Sequence, residues 1–498
     1  MELQFRKSTC RCLDRVVREV KNEEVTQELR LPEGMPDMGR ILTAWGQVVL
    51  RSKEWRGGTA VVSGGVMVWV LYAPEDGSDP RCVDSWIPFS VKWNVSEAPC
   101  EGSIRAMPLL RFADGRALST RKMMIRAGVA VCGEMLCERQ VQTAQPGEVP
   151  EDVQLLKNTY PLRLPREAGE KTFLLDEELA IPEDVPAMEK LLCYTIRPEM
   201  TEQKIAAGKM VFRGILNLHL VYRSSEGQLC SCDLAQPFSQ FQELDAKLSE
   251  NARADCALVV TSLELNHEEG RLQLKCGLVC QFVLEDLVML ELVQDAYSPR
   301  RPVEIAMDSL ELPAVLEERR EKISVQQMLP DRKGKLVDLS FLLDFPRQRR
   351  TMEEVMFELP GLFQVLYYEE DGTLQTATAR WEGQYRIQSG DGVRMDTMIV
   401  PAGGPQCMDG GDGMELRSQL MLQISATACQ GIPMVSGLEL GQGRESDSGC
   451  PSLILCRSNG EKLWDIAKRC GSTVYSIRRA NGLEDEPDVG RMLLIPVS

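Results

Sequence analysis

LPEGMPDMGRIL, residues 31–42, returns as IPEDVPAMEKLL at residues 181–192, with Pro32/Pro182, Glu33/Glu183, Pro36/Pro186, Met38/Met188 and Leu42/Leu192 in register at an offset of 150. A long internal repeat of this kind sets the architecture before any single element does. VSGGVMVWVLYAPEDGS (62–78), FRGILNLHLVYRSSEGQ (212–228) and ELPGLFQVLYYEEDGTL (358–374) each run an alternating apolar stretch into an acidic-Gly turn, at Gly77, Gly227 and Gly372. Alternation that ends on such a turn marks a strand entering a hairpin. A second set, ADGRALSTRKMMIRAGVAVCGEML, HEEGRLQLKCGLVCQFVLEDL and GDGMELRSQLMLQISATACQG, places further turns at Gly115, Gly270 and Gly413. The chain therefore reads as mainly β, with three repeated β-sandwich or barrel-like domains expected over 24–145, 170–298 and 321–440. The third opening, LPDRKGKLVDLS (329–340), is the most diverged, and residues 1–23 are expected to form a helical segment.

Bulk properties fit several folded domains, since 498 residues exceed one ordinary core. A hydrophobic content of 43% supports packed interiors, and a net charge of −17 disfavours nucleic acid and anionic lipid as main partners. The best basic cluster, Arg347, Arg349 and Arg350, lies among acidic residues and reads as a solvated loop. The first twenty residues lack the apolar region of a secretory signal, and no apolar run is long enough to span a bilayer. Seventeen cysteines in such a chain are expected as reduced thiols of a cytoplasmic protein.

Residue types that could carry chemistry are present, but in no working constellation. Cys10/Cys12, Cys230/Cys232 and Cys276/Cys280 lie in alternating runs without a second knuckle at zinc spacing, so they are expected as buried strand thiols. His219 sits in the alternating LNLHLVY and is expected in a strand; His267, in NHEEG, is expected in a solvated turn. MDGGDGMEL, with Asp409 and Asp412, lacks the spacing of a calcium loop and reads as a turn. No nucleophile has a recognisable setting and no Gly-rich loop ends in Gly-Lys-Ser/Thr, so the expectation is a binding or scaffolding protein without catalytic residues, metal or cofactor.

Residues 441–452 are polar and Gly/Ser-rich, a flexible linker that would let the C-terminal residues 453–498 roam roughly 20 Å. Those C-terminal residues read as strand, helix, helix, strand. Ser458 and Glu461 have capping-box spacing, and Leu463, Ile466, Ala467 and Cys470 form one apolar stripe that stops at Gly471. Ser472 or Thr473 can cap a second helix carrying Val474 and Ile477 inward, Gly482 can close it, and MLLIP supplies the last strand. Trp464 lies one residue off the stripe, which leaves open whether it packs or serves as an exposed contact anchor.

The run NGEKLWDIAK, then GSTV, RRANGL and VGRMLLIP, resembles a LysM domain. That resemblance implies N-acetylglucosamine-polymer binding in a shallow groove formed here by Asn459, Gly460, Glu461, Lys462, Leu463, Asn481, Gly482 and Leu483, with Trp464 beside it. The usual Gly-Asp-Thr-Leu reads Gly460-Glu461-Lys462-Leu463, two long charged side chains in place of a short pair. With the β repeats, the whole chain resembles the SPOCS-repeat, LysM-containing proteins of spore-forming Firmicutes, of the SipL type. This implies a mother-cell cytosolic protein at the forespore surface that assembles the spore coat, its LysM domain engaging the SpoIVA-type ATPase of the basement layer. The alternative reading is a glycan-binding protein of cortex or wall; self-association through sheet edges, or contact with other coat proteins, is a further expectation.

Overall fold

The computed structural model describes residues 2–3, 5–95, 102–244, 248–268, 270–443 and 452–497. The first unit follows a two-residue strand β1 (Glu2–Leu3) and contains β2 (Phe5–Arg30), β3 (Met38–Arg56), β4 (Thr59–Pro74), β5 (Arg81–Asn94), β6 (Ser103–Ser119) and β7 (Lys122–Pro146). The second contains β8 (Gln154–Ala180), β9 (Met188–Ala206), β10 (Lys209–Ser224), β11 (Leu229–Glu243), β12 (Arg253–Glu268) and β13 (Arg271–Tyr297). The third runs β14 (Val303–Pro330), β15 (Lys335–Leu343), β16 (Arg347–Arg350), β17 (Glu354–Tyr368), β18 (Leu374–Gln388), β19 (Val393–Pro401), β20 (Gln406–Asp409) and β21 (Gly413–Leu440).

Each unit is two antiparallel sheets over its own core, ordered β3-β4-β5 with β2-β7-β6 in the first and β9-β10-β11 with β8-β13-β12 in the second. In the third unit the same plan appears with two strands broken, β15 from β16 at Pro346 and β19 from β20 across Gly403 to Pro405. Proline supplies no ladder donor, so the strands stop there. The Arg347–Arg350 run is thereby a short strand on β17, not the expected solvated loop.

The helical segment expected over residues 1–23 is a correction: β2 pairs with β7 from Phe5 to Arg30. Its ladder carries a bulge between Arg15 and Val17; β8 carries one where Arg166 lies between paired Pro165 and Glu167, and β14 one between Val315 and Glu317. The extra residues Val16, Arg166 and Leu316 are spaced by 150, so the strand before the Pro-rich opening is part of the repeat and every unit starts upstream of its expected boundary. Gly115 is a second correction, because it lies inside β6 and Thr120–Arg121 make the turn. A Cβ on Gly115 would stand 3.2 Å from Val70 and 3.3 Å from Ile41, so a close approach of the two sheets explains this glycine. Gly77, Gly227 and Gly372 do make the hairpin turns, at φ +73°, +82° and +82°. His267 also differs from expectation, standing in β12 opposite Leu272.

The Pro-rich opening has a packing role. Tyr72 and Tyr222 are fully buried, and their hydroxyls donate to the carbonyls of Pro36 and Pro186 at 3.1 and 3.0 Å. A buried phenol needs such a partner, which the loop supplies. In the third unit the equivalent Tyr367 meets Arg332 at 3.4 Å instead, which accounts for the diverged opening there.

A further bulge joins the three units. Leu42, Leu192 and Val337 are the extra residues opposite Leu71/Tyr72, Val221/Tyr222 and Leu366/Tyr367. A bulge re-aims a side chain; here all three extra residues, with Leu71, Val221 and Leu366, enter one apolar cluster shared by the units. Beside it the Asp338 carboxylate, 2% exposed, accepts from Trp45 Nε1 at 2.7 Å and from His219 Nε2 at 2.5 Å. His219 Nδ1 reaches Asp233 at 2.6 Å. Burial opposes the charge on His219, but the hydrogen bonds to Asp233 and Asp338 outweigh it and push the imidazolium up to about 10.

The folded-state value is above the ordinary 6.5, so this contribution to stability is fully present below pH 6.5 and disappears as pH rises through about 10. Denaturant midpoints measured across that range are expected to fall more steeply for the native chain than for His219→Gln. Parallel profiles would remove His219 from the pH dependence.

Candidate binding site on the C-terminal module

The last module consists of β22 (Leu453–Arg457), α1 (Leu463–Cys470), α2 (Val474–Asn481) and β23 (Met492–Pro496), with β22 and β23 paired antiparallel. Leu463, Ile466, Ala467 and Ile477 are buried with Leu493 and Ile495, so the stripe read from sequence is the core. Thr473 caps α2 by accepting from the Ser476 amide at 3.0 Å, and Gly471 and Gly482 end the helices at φ 64° and 60°.

The Ser458/Glu461 capping box does not form. Ser458 is buried and ties its backbone to Arg491 and Gly490 at 2.9 and 2.7 Å. Glu461 instead clasps Arg469 at 2.5 and 2.9 Å, a pairing whose hydrogen bonds lower its carboxyl below the usual range. Helix α1 begins at Leu463, and its amide donates to Glu486 Oε2 at 2.7 Å. A carboxylate from the loop after α2 thus sits at the positive end of α1.

Asn481 is similarly engaged. Its amide nitrogen donates to the carbonyls of Ile477 and Leu494 at 2.8 and 2.6 Å, and its oxygen accepts from the Leu494 amide at 2.7 Å. Of the expected groove residues, Asn459, Gly460, Lys462 and Gly482 are exposed, Glu461 and Asn481 are half-buried, and Leu463 and Leu483 pack into the core. Gly460 and Val489 bring the two loops together, a Cβ on Gly460 standing 3.5 Å from the Val489 side chain.

Trp464 resolves as a packing residue, 9% exposed. Its indole stands edge-on to Tyr297 of β13, ring centroids 4.8 Å apart, and its Nε1 donates to Asp295 Oδ2 at 2.7 Å. Lys468, one turn along α1, reaches both Asp295 oxygens at 2.7 and 2.8 Å. The Tyr297 hydroxyl donates to the Ser472 carbonyl at 3.0 Å; burial, then the Asp295 charge, push this phenol up to about 12, so it stays a donor. The module is therefore seated on the end of the second unit, where free roaming on a linker was expected. Of that linker, residues 444–451 lie outside the described residues.

Sequence reasoning missed Glu486, Asp295 and Tyr297. Glu486 is one acid among several in LEDEPDV, and nothing local marks it. The two dock residues do carry a signal, because 150 residues upstream stand Gln145 and Gly147, so the first unit lacks this pair.

The architecture defines a repeat protein of three double-sheet units bearing one small βααβ module. Residues 458–496 of that module match the LysM domain family. No curated protein and no solved structure matches the chain. No helix among the described residues is long and apolar enough to cross a membrane.

Asp295→Ala removes a half-buried carboxylate shared by an indole and an ammonium, at a cost to docking of about 2 kcal/mol. Hydrogen exchange is expected to show faster exchange at Ser472 and along α1 near Trp464, with β22 and β23 unchanged. Unaltered exchange at this seam would remove Asp295 as its fastening.

Proposed function

We propose that the chain is a non-enzymatic scaffold for spore coat assembly, acting in the mother-cell cytosol at the forespore surface, whose LysM domain binds the SpoIVA-type ATPase of the coat's basement layer. The observation supporting a protein partner is the internal use of the groove's polar groups. Glu486 takes the Leu463 amide, Asn481 is spent on β23, and Glu461 is held by Arg469. A sugar site needs convergent, unspent donors and acceptors. What remains exposed is Asn459, Gly460, Lys462 and Gly482, a small surface suited to the rim of a protein interface.

The second reading is binding of an N-acetylglucosamine polymer, favoured by the LysM match over residues 458–496. Interferometry on the full chain separates the two, with the purified ATPase and a chitooligosaccharide as analytes. Lys462→Asp suits the N-cap position that Lys462 occupies, so folding is preserved while the surface charge reverses. The scaffold reading expects ATPase binding weakened about tenfold by this change. Tight chitooligosaccharide binding with no ATPase binding would sink it and establish the glycan reading.

A further inference from the structure

We infer that an open cleft of about 360 Å³ between the first and third units, lined by Arg18, Gln348, Arg350, Arg394 and Asp396, binds a small phosphate-bearing anion. The cleft sits at a charge imbalance in an otherwise acidic protein. Asp396 is already committed: Arg18 Nη1 lies 2.6 Å from its Oδ1, and Arg15 holds the other oxygen. Glu134 is shared by Arg15, Arg18 and Arg105 at 3.2, 2.9 and 3.5 Å, and Asp255 pairs with Arg105.

Two guanidinium groups remain. Arg350 donates to the Ser389 hydroxyl at 3.1 Å and to the Val393 carbonyl, neutral acceptors that leave its charge uncompensated. Arg394 has a contact of 3.8 Å to the already engaged Asp396. The cleft wall desolvates the Arg394 guanidinium in part, and this, with the charges of Arg15 and Arg18 after it, pulls Arg394 below the usual arginine range.

The geometry favours a diphosphate. Arg350 comes from β16 and Arg394 from β19, with the Gln348 amide beside them, while Arg18 of β2 forms the opposite wall with its own nitrogens spent on Glu134, Asp396 and the Thr397 carbonyl. Two guanidinium groups without a full counter-charge match the two phosphoryl groups of such a ligand, each offering a fork of donors to phosphoryl oxygens. The volume exceeds one phosphate and fits a diphosphate. Because the lining comes from both units, the ligand would clamp them and stabilise the folded body.

Calorimetry and thermal unfolding of the full chain with pyrophosphate, and separately with adenosine triphosphate, test the assignment at fixed ionic strength. Saturable binding with a raised unfolding midpoint is expected, and Arg350→Gln and Arg394→Gln should each weaken affinity about tenfold. Both side chains are exposed, so the variants keep their fold. Equal affinity for the two ligands assigns the site to the phosphoryl group alone; tighter triphosphate binding assigns it to a nucleotide's phosphates. Absence of saturable binding, or binding unaltered in both variants, overturns the site.

Discussion

The Asp338 carboxylate holds the centre of the body, accepting from Trp45 of the first unit and His219 of the second while belonging itself to the third. Exact repetition could not produce this arrangement. In the ladder registers Asp338 is equivalent to Thr43 and Cys193, and His219 to Trp69 and Gln364. Three aspartates around a shared apolar cluster would place like charges in low dielectric, where at least some would be forced to protonate. Divergence to one acid, one imidazolium and one indole gives a satisfied network, and it fixes which unit occupies which place.

The same shared cluster explains why a bulge recurs at one ladder position. Leu71, Val221 and Leu366, on the unbulged strands β4, β10 and β17, already face the space between the units. One extra residue frees Leu42, Leu192 and Val337 to meet. Bulges also limited what the sequence could reveal. Hairpin turns at Gly77, Gly227 and Gly372 were readable because a tight turn demands a particular residue. The strand β2 was not, since its bulge at Val16 resets the alternation that identifies a strand. Arg347–Arg350 misled for another reason: a four-residue strand is decided by its partner β17, not by its own composition.

In the last module, apolar spacing and Gly stops marked both helices, because these signals are local. The cap on α1 was not local. Glu486 lies beyond α2, and only folding brings its carboxylate to the Leu463 amide. Trp464 shows the same limit in stronger form, for its position off the stripe left packing and exposure open, and the contact that decides between them lies on β13. Trp464 belongs to the module's buried cluster and extends it onto Tyr297, so the interface it makes is within the chain.

Docking changes what a partner would meet. A LysM domain swinging on a dozen flexible residues would have to be ordered relative to the body whenever a partner engaged both, and that loss of freedom would subtract from affinity. With Trp464 against Tyr297 and Lys468 on Asp295, the ordering is already done in the free chain. The exposed loops around Lys462 and Gly482 then keep a fixed relation to the three units. A surface spanning the LysM loops and the second unit is therefore preorganised, its geometry set by Trp464 and Lys468 on Asp295 and by the Tyr297 hydroxyl on the Ser472 carbonyl.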